Sequence, residues 1–417
     1  MTFSRSTPRT IRRSRLAAVA LMAMVPVVGL ATACSSDSTD TASSDSVEAP
    51  SSAFPDNPAT GTPIKIGLIN PEGGPAISQP GNREAAEAVV KYANANLGGI
   101  AGHPITMVSC KNQEDPASAR DCANQMVEQG VAAVIVPTTS QGEAIVPIVT
   151  GAGIPIMSVS GSGPAELTTP NSFVLTGGFP GTLKSMAAYS KANNLKKVTA
   201  FVTDNGSVVA GTKAMGEPAF KAAGVELQIV PIPKGTPDAT PQVSSGVSGG
   251  VDAVAIVGDA TMCTSVLKAF STVGADQKRM IIQPCIDPST IEAAGDAVEG
   301  SLLFTTSDSE SNDPEAVLYR SVMKKYSPST DIGGYTVVGY QSTLSLIRAA
   351  AGLTGEPTPA AIITALEAAK DVPLPAGHGM SFTCDGTAVT GMPAVCSSGT
   401  MTATMKDGKP VDPQLVK

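Results

Sequence analysis

Between residues 131 and 167 the chain alternates between apolar and polar blocks. Two Val/Ile-rich runs, 132–136 and 154–158, each give way to a stretch rich in hydroxyls or glycine. Runs this short and this β-branched predict strands buried on both faces, as in a parallel sheet. The polar stretches read Pro137-Thr138-Thr139-Ser140 and Ser160-Gly161-Ser162-Gly163. Ser140-Gln141-Gly142-Glu143 has capping-box spacing, which predicts a helix to about 150, stopped at Gly151. Strand, helix and strand then set two hydroxyl loops side by side at the carboxyl ends of neighbouring strands, where open α/β sheets take ligands. A helix N-terminus there offers unpaired N–H groups to an anion or carboxylate. The pattern predicts a small-molecule pocket lined by Thr138, Thr139, Ser140, Ser160, Gly161 and Ser162. Ser and Thr also cap helices that bind nothing, so the pattern alone leaves both readings open.

The same alternation continues on either side. Strands are predicted at 64–69, 104–110 and 173–175, with helices over 83–97, capped by Asn82, and over 115–130. A second set follows Gly177-Gly178: strands at 198–203, 227–231, 253–257, 280–283 and 302–305, separated by helical segments. Three helices come next, over 314–326, 334–353 and 359–369, and then a β-rich tail over 380–406 with two hairpin strands. Repeated βα winding predicts an α/β fold with parallel sheets in two sets, joined by more than one crossover.

The N-terminus changes the picture. Arg9, Arg12, Arg13 and Arg15 precede an apolar run over 16–30 that is too short to span a bilayer. It ends in Leu30-Ala31-Thr32-Ala33-Cys34, which resembles a bacterial lipobox, with Ala31 where Leu is usual. Residues 1–33 therefore read as a lipoprotein signal peptide and Cys34 as the lipidated residue, with Sec and twin-arginine export both open. Residues 34–61 carry five acidic residues and no basic one among Ser, Thr and Pro, which predicts a disordered tether. No later apolar run reaches 18 residues, so the expected address is the extracytoplasmic face of the cell membrane, held by lipid alone.

Charge and cysteine content narrow the chemistry. Beyond residue 33 the chain holds 23 basic and 36 acidic residues, no footing for a nucleic-acid partner. The six later cysteines are an even number suited to an oxidising compartment. Proximity pairs them as Cys110–Cys122, Cys263–Cys285 and Cys384–Cys396. With no Cys-x-x-Cys pair and only two isolated histidines, no metal site is expected. No cofactor is expected either, because the nucleotide-binding and zincin signatures are missing.

Ile64-Lys65-Ile66-Gly67-Leu68 entering Gly73-Gly74-Pro75, and Asn96-Leu97-Gly98-Gly99-Ile100-Ala101-Gly102, resemble the type I periplasmic binding proteins. Gly153-Ile154-Pro155-Ile156-Met157-Ser158, Val202-Thr203-Asp204-Asn205, Val257-Gly258-Asp259 and Gly334-Tyr335 extend the likeness over about 64–410. It points to the branched-chain amino-acid-binding family of ABC-importer receptors. That resemblance implies two Rossmann-like lobes joined by three crossovers: 62–176 with 308–376, and 177–307 with 377–417. It implies a solute bound between the lobes and handed to ABC permease and ATPase subunits. The hydroxyl loops, which carry no Arg or Lys, suit a small amino acid or amide, and a monomer is expected. The resemblance also brings Asn205, Asp259 and Tyr335 into the ligand set, with Asp259 either meeting an ammonium group or serving only as a helix cap. Two stretches where the family often has aromatic rings, 77–81 and 205–208, have none here.

Two other functions compete. A ligand sensor signalling to a membrane partner would have the same sequence features. Gly246-Val247-Ser248-Gly249-Gly250 matches a hydrolase nucleophile pattern, but it precedes a strand, and His103 and His378 both read as solvated loop residues. An enzyme is not expected.

Overall fold

The computed structural model describes residues 47–416 apart from 75, 76 and 205. The expected signal peptide, Cys34 and Asn205 lie outside the described residues.

The first lobe is a five-stranded parallel sheet in the order β2-β1-β3-β4-β5. Its strands are β1 (Ile64–Pro71), β2 (Ile105–Asn112), β3 (Ala133–Val136), β4 (Ile156–Ser158) and β5 (Ser172–Val174). Four helices alternate with them: α1 (Pro80–Tyr92), α2 (Pro116–Gln129), α3 (Gly142–Gly151) and α4 (Pro164–Thr168). All four residues of β3 and all three of β4 are buried, as continuous apolar runs in a two-sided parallel sheet must be. Register pairs Val136 with Ser158, so the two hydroxyl loops leave the sheet at one level.

The second lobe repeats the winding with β6 (Lys197–Asp204), β7 (Glu226–Pro233), β8 (Ala253–Val257), β9 (Lys278–Ile282) and β10 (Leu302–Thr305). Between them run α5 (Gly178–Ala192), α6 (Gly206–Gly211), α7 (Glu217–Ala223), α8 (Thr240–Gly246), α9 (Ala260–Val273) and α10 (Pro288–Ala294). The chain then returns to the first lobe through α11 (Pro314–Tyr326), α12 (Thr336–Ala349), α13 (Pro359–Glu367) and the short pair β11 (Val372–Pro373) and β12 (Ser381–Phe382). A last crossing delivers β13 (Met401–Lys406) and β14 (Lys409–Leu415), which complete a seven-stranded sheet, β14-β13-β10-β9-β8-β6-β7. The crossings after β5, after β10 and before β13 make three. Buried Gln341 on α12 pins the second of them, its Nε2 donating to Thr306 O at 3.0 Å as well as to Pro375 O at 2.9 Å within the first lobe.

Four expectations need correction. The third crossing falls after Cys396, not at 376: Cys396 N donates to Val174 O and Val174 N to Ala394 O, so 377–396 packs with the first lobe. Local glycines and cysteines gave no hint of this long-range pairing, and the tail's real hairpin is β13–β14. The tether is shorter than 34–61, because residues 49–61 lie on the first lobe. Phe54 packs edge-on against Tyr92, Tyr92 Oη donates to Ala53 O, and Asn96 Nδ2 donates to Pro55 O. One buried aromatic contact and these bonds outweigh a polar composition. Asn82 is not the cap of α1, which starts at Pro80; it is buried inside the helix and its Nδ2 bonds Gln79 Oε1. Finally, His378 is not simply solvated, since its Nδ1 lies 2.8 Å from Asp308 Oδ2. His103 Nδ1 bonds Thr62 O.

The three disulfides join Cys110 to Cys122, Cys263 to Cys285 and Cys384 to Cys396. The first-lobe core centres on α1, α11 and α12, with Tyr319 of α11 and Tyr340 of α12 meeting edge to face at 5.0 Å. Helix α12 lies so close to α1 that a Cβ on Gly339 would sit 1.9 Å from Asn82 O. Gly339→Ala must therefore push the helices apart, an overpacking cost of at least about 1–3 kcal/mol. Thermal melts should show a clear loss for Gly339→Ala and almost none for Gly352→Ala, which has no atom within 4 Å of its Cβ position. Equal melting temperatures would refute the close-packing account.

Candidate functional site

The carboxyl ends of both sheets open onto one cleft made of two adjoining cavities of about 260 and about 340 Å³. Thr138, Ser140, Ser162 and Tyr335 line both, Ser160 lines the first, and Thr139 and Asp259 line the second. Apolar walls come from Val159, Phe179, Ile282, Pro284, Phe304 and Val338. The cleft is thus not without aromatic rings. Phe179, Phe304 and Tyr335 supply them from stretches other than the two that sequence inspection searched. Gly161 lines neither cavity. Its carbonyl accepts the Phe179 N–H at 3.2 Å, and Gly178 above it has room only for hydrogen, since a Cβ there would come 2.5 Å from that oxygen. Gly161 therefore supports the turn that aims Phe179.

The hydroxyl loops are organised by carboxylates of the chain itself. Glu114, in the left-handed region at φ 60°, reaches the first loop. Its Oε1 accepts Thr139 Oγ1 at 2.7 Å and Asn112 Nδ2 at 2.7 Å, and its Oε2 accepts Ser140 N at 2.8 Å and Ser140 Oγ at 2.5 Å. The expected capping box is therefore absent: Gln141 is the N-cap of α3, without a side-chain cap bond, and Ser140 turns to Glu114 instead. Glu143, read as that box's acid, reaches across to accept Ala165 N at 3.0 Å. In return Glu166 accepts Ser162 N at 2.9 Å, Ser162 Oγ at 3.3 Å and Gly163 N at 3.2 Å. Glycines make the exchange possible, because a Cβ on Gly142 would lie 2.5 Å from the Glu166 carboxyl carbon and one on Gly163 2.6 Å from Glu143 Oε1. Among the described residues Thr138 and Ser160 have no side-chain hydrogen-bond partner and keep their hydroxyls for the cleft.

In the second lobe Asp259 serves as both cap and lining residue. Its Oδ1 accepts Met262 N at 2.9 Å at the start of α9, and its Oδ2 accepts Thr203 Oγ1 at 3.3 Å. The lobes meet directly where Gln283 Nε2 donates to Gly334 O at 2.8 Å, while Thr305 Oγ1 holds the Gln283 carbonyl at 2.7 Å. Sequence inspection missed Glu114, Glu143 as a cleft residue, Glu166, Phe179 and Gln283. Glu166 had a usable signal, since it stands three residues after Gly163, the N-cap-to-N3 spacing. Glu114 and Gln283 had none, because their partners are distant in sequence. Among the described residues no cluster of His, Cys, Asp and Glu could hold a metal, and no helix is long and apolar enough to cross a membrane.

A family model described as periplasmic binding protein matches residues 63–399. The chain belongs to the periplasmic binding protein family. Solved structures share the fold of this periplasmic binding protein at low identity. The leucine-binding protein LivK of Thermotoga maritima is 19% identical, with a TM-score of 0.71 over 85% of this chain and 98% of that one. The branched-chain amino-acid transporter substrate-binding protein LivJ of Streptococcus pneumoniae, solved with isoleucine, is 20% identical, with a TM-score of 0.71 over 85% and 99%. A fatty-acid ABC transporter substrate-binding protein of Thermomonospora curvata is 18% identical, with a TM-score of 0.71 over 87% and 94%. No curated protein matches the sequence. As a periplasmic binding protein the chain is a solute-binding receptor and not an enzyme. Ser248, the one hydrolase-like serine, lies in a turn and donates its hydroxyl to Ser245 O at 2.7 Å, away from both cavities.

Glu166 is 3% exposed, and burial pushes its carboxyl from the ordinary 4.5 up to about 7 against the pull of the Ser162 and Gly163 bonds, with Glu143 adding to the rise. A carboxyl raised on folding stabilises the fold fully below its unfolded value, and that contribution is lost as pH rises through the folded one. Stability should therefore fall between about pH 4.5 and 7 by up to on the order of 3 kcal/mol from this group, and level off above. Denaturant titrations from pH 4.5 to 8 should show that slope, and Glu166→Gln should flatten it. An unchanged slope in the variant would dismiss Glu166 as its source.

Proposed function

We propose that this chain is the extracytoplasmic receptor of an ABC importer, anchored to the membrane by lipid on Cys34 and working as a monomer with permease and ATPase subunits. Its cleft takes a small amino acid or amide-type solute. The observation that carries this reading is the cleft itself: two adjoining cavities at the strand ends of both lobes, with mostly apolar walls and a few hydroxyls. Small-solute sites have this composition, with a few polar groups fixing orientation. The solved relatives named for leucine, branched-chain amino acids and fatty acids support the same class of ligand, a short polar end on an apolar body. Thr138 and Ser160 supply hydroxyls from the first-lobe loops, Phe179 and Tyr335 the rings, and Asp259 the second-lobe acid proposed to meet the solute.

The lipid anchor rests on the sequence around Cys34, and the link to the folded body would run over 35–48. Stable anchoring needs more than one acyl chain, as a diacylated cysteine provides. Cys34→Ser should stop incorporation of labelled fatty acid and release the protein from washed membranes. Continued membrane retention without label would end the anchor reading.

Closure of the lobes should accompany binding, because the cavity residues come from both and only the closed form brings them together on one solute. A thermal-shift screen of amino acids, amides and short acids should find hits of this class, and small-angle scattering with a hit should show a smaller radius of gyration. Hits confined to sugars or phosphorylated compounds would remove the proposed solute class.

A further inference from the structure

The cleft's two hydroxyl loops are already occupied by carboxylates. Glu114 takes the Ser140 N–H and the Thr139 and Ser140 hydroxyls; Glu166 takes the Ser162 and Gly163 N–H groups and the Ser162 hydroxyl. These are donors that could otherwise have held a ligand anion. The arrangement is built in rather than incidental, since Gly142 and Gly163 leave the space that the Glu166 and Glu143 carboxylates fill.

The charges facing the two cavities point the same way. Glu114, Glu143, Glu166, Asp259 and Asp287 line them, against Lys234 alone. No arginine lines either cavity, so the bidentate partner that carboxylates favour is missing. Other polar groups of the lining are hydroxyls and amides, and hydroxyls such as those of Thr138 and Ser160 accept as readily as they donate. Phe179 and Tyr335 add rings whose faces attract an ammonium group.

We infer that this cleft recognises the N–H end of its solute, an amine or an amide on a short apolar body, and does not hold a free carboxylate. The inference rests on the receptor function proposed above and selects one chemistry within it. It separates this chain from the mode expected of its hydroxyl loops, in which a solute carboxylate would meet the loop N–H groups.

The test compares matched solutes on the full chain in detergent by calorimetry at pH 8. Each set shares one apolar body, methyl, isobutyl or benzyl, and carries in turn the free amino acid, its amide, the amine without carboxyl, and the acid without amine. The amide and the amine of the best-fitting body should bind at least about tenfold more tightly than the amino acid or the acid. Glu143→Gln, at an exposed side chain that should tolerate the change, should weaken the amine severalfold and leave the acid no weaker. Glu166→Gln should do the same where it folds. An amino acid or acid that binds as tightly as its amide would overturn the inference while leaving the receptor function standing. If no member of any set binds, the inference and the proposed solute class fall together.

Discussion

The exchange of carboxylates between two helix starts is the interaction on which the site depends. Glu143 at the start of α3 caps α4, and Glu166 at the start of α4 closes the loop after β4. Each carboxylate needs a glycine opposite it, so four residues in two segments are fixed by one mutual requirement. The burial of Glu166 is the cost of the arrangement, seen in the upward shift of its carboxyl. The return is a rigid floor in which the Thr138 and Ser160 hydroxyls are left to the cleft. Loops that could have been mobile are thereby held at a fixed distance from each other.

Disulfides extend the same logic outward. Cys110–Cys122 brackets the turn that presents Glu114, whose left-handed backbone would relax without local restraint. Cys263–Cys285 ties the start of α9, next to Asp259, to the turn carrying Gln283 and Pro284. Each lobe therefore anchors its cleft-facing turns covalently in addition to the strand register. Between the lobes the restraints are fewer: Gln341 holds the crossover at Thr306, and Gln283 touches Gly334 across the cleft. Stiff lobes on a lightly bonded junction are what a closing receptor requires, because rigid bodies move about a few residues.

Membership in the periplasmic binding protein family fixes the scaffold, while the solute is decided by side chains that family likeness does not carry. At 18–20% identity the solved structures share the fold with this chain. The acidic character of the hydroxyl loops is read from this chain's own residues. A cleft lined by five acidic side chains, of which Glu166 is only partly ionised near neutral pH, and one lysine has a field that repels anions before any contact is made.

The sequence by itself determined the winding. Val/Ile runs such as 132–136 and 253–257 are strands because only a two-sided parallel sheet buries them throughout, and Asp115-Pro116 starts α2 where a cap followed by proline should. It also located the cleft, since the ends of those strands are where chain direction leaves room for a ligand. The cysteine pairs followed from short separations along the chain. Tertiary structure decided everything that joins distant segments. It packed 49–61 onto Tyr92, moved the third crossover past Cys396 and turned Ser140 from a helix cap into a partner of Glu114. It also swung Phe179 and Phe304 into walls that looked bare of rings. Local pattern reports what a segment prefers, whereas a carboxylate's partner is chosen by whichever donor the folded chain brings within reach.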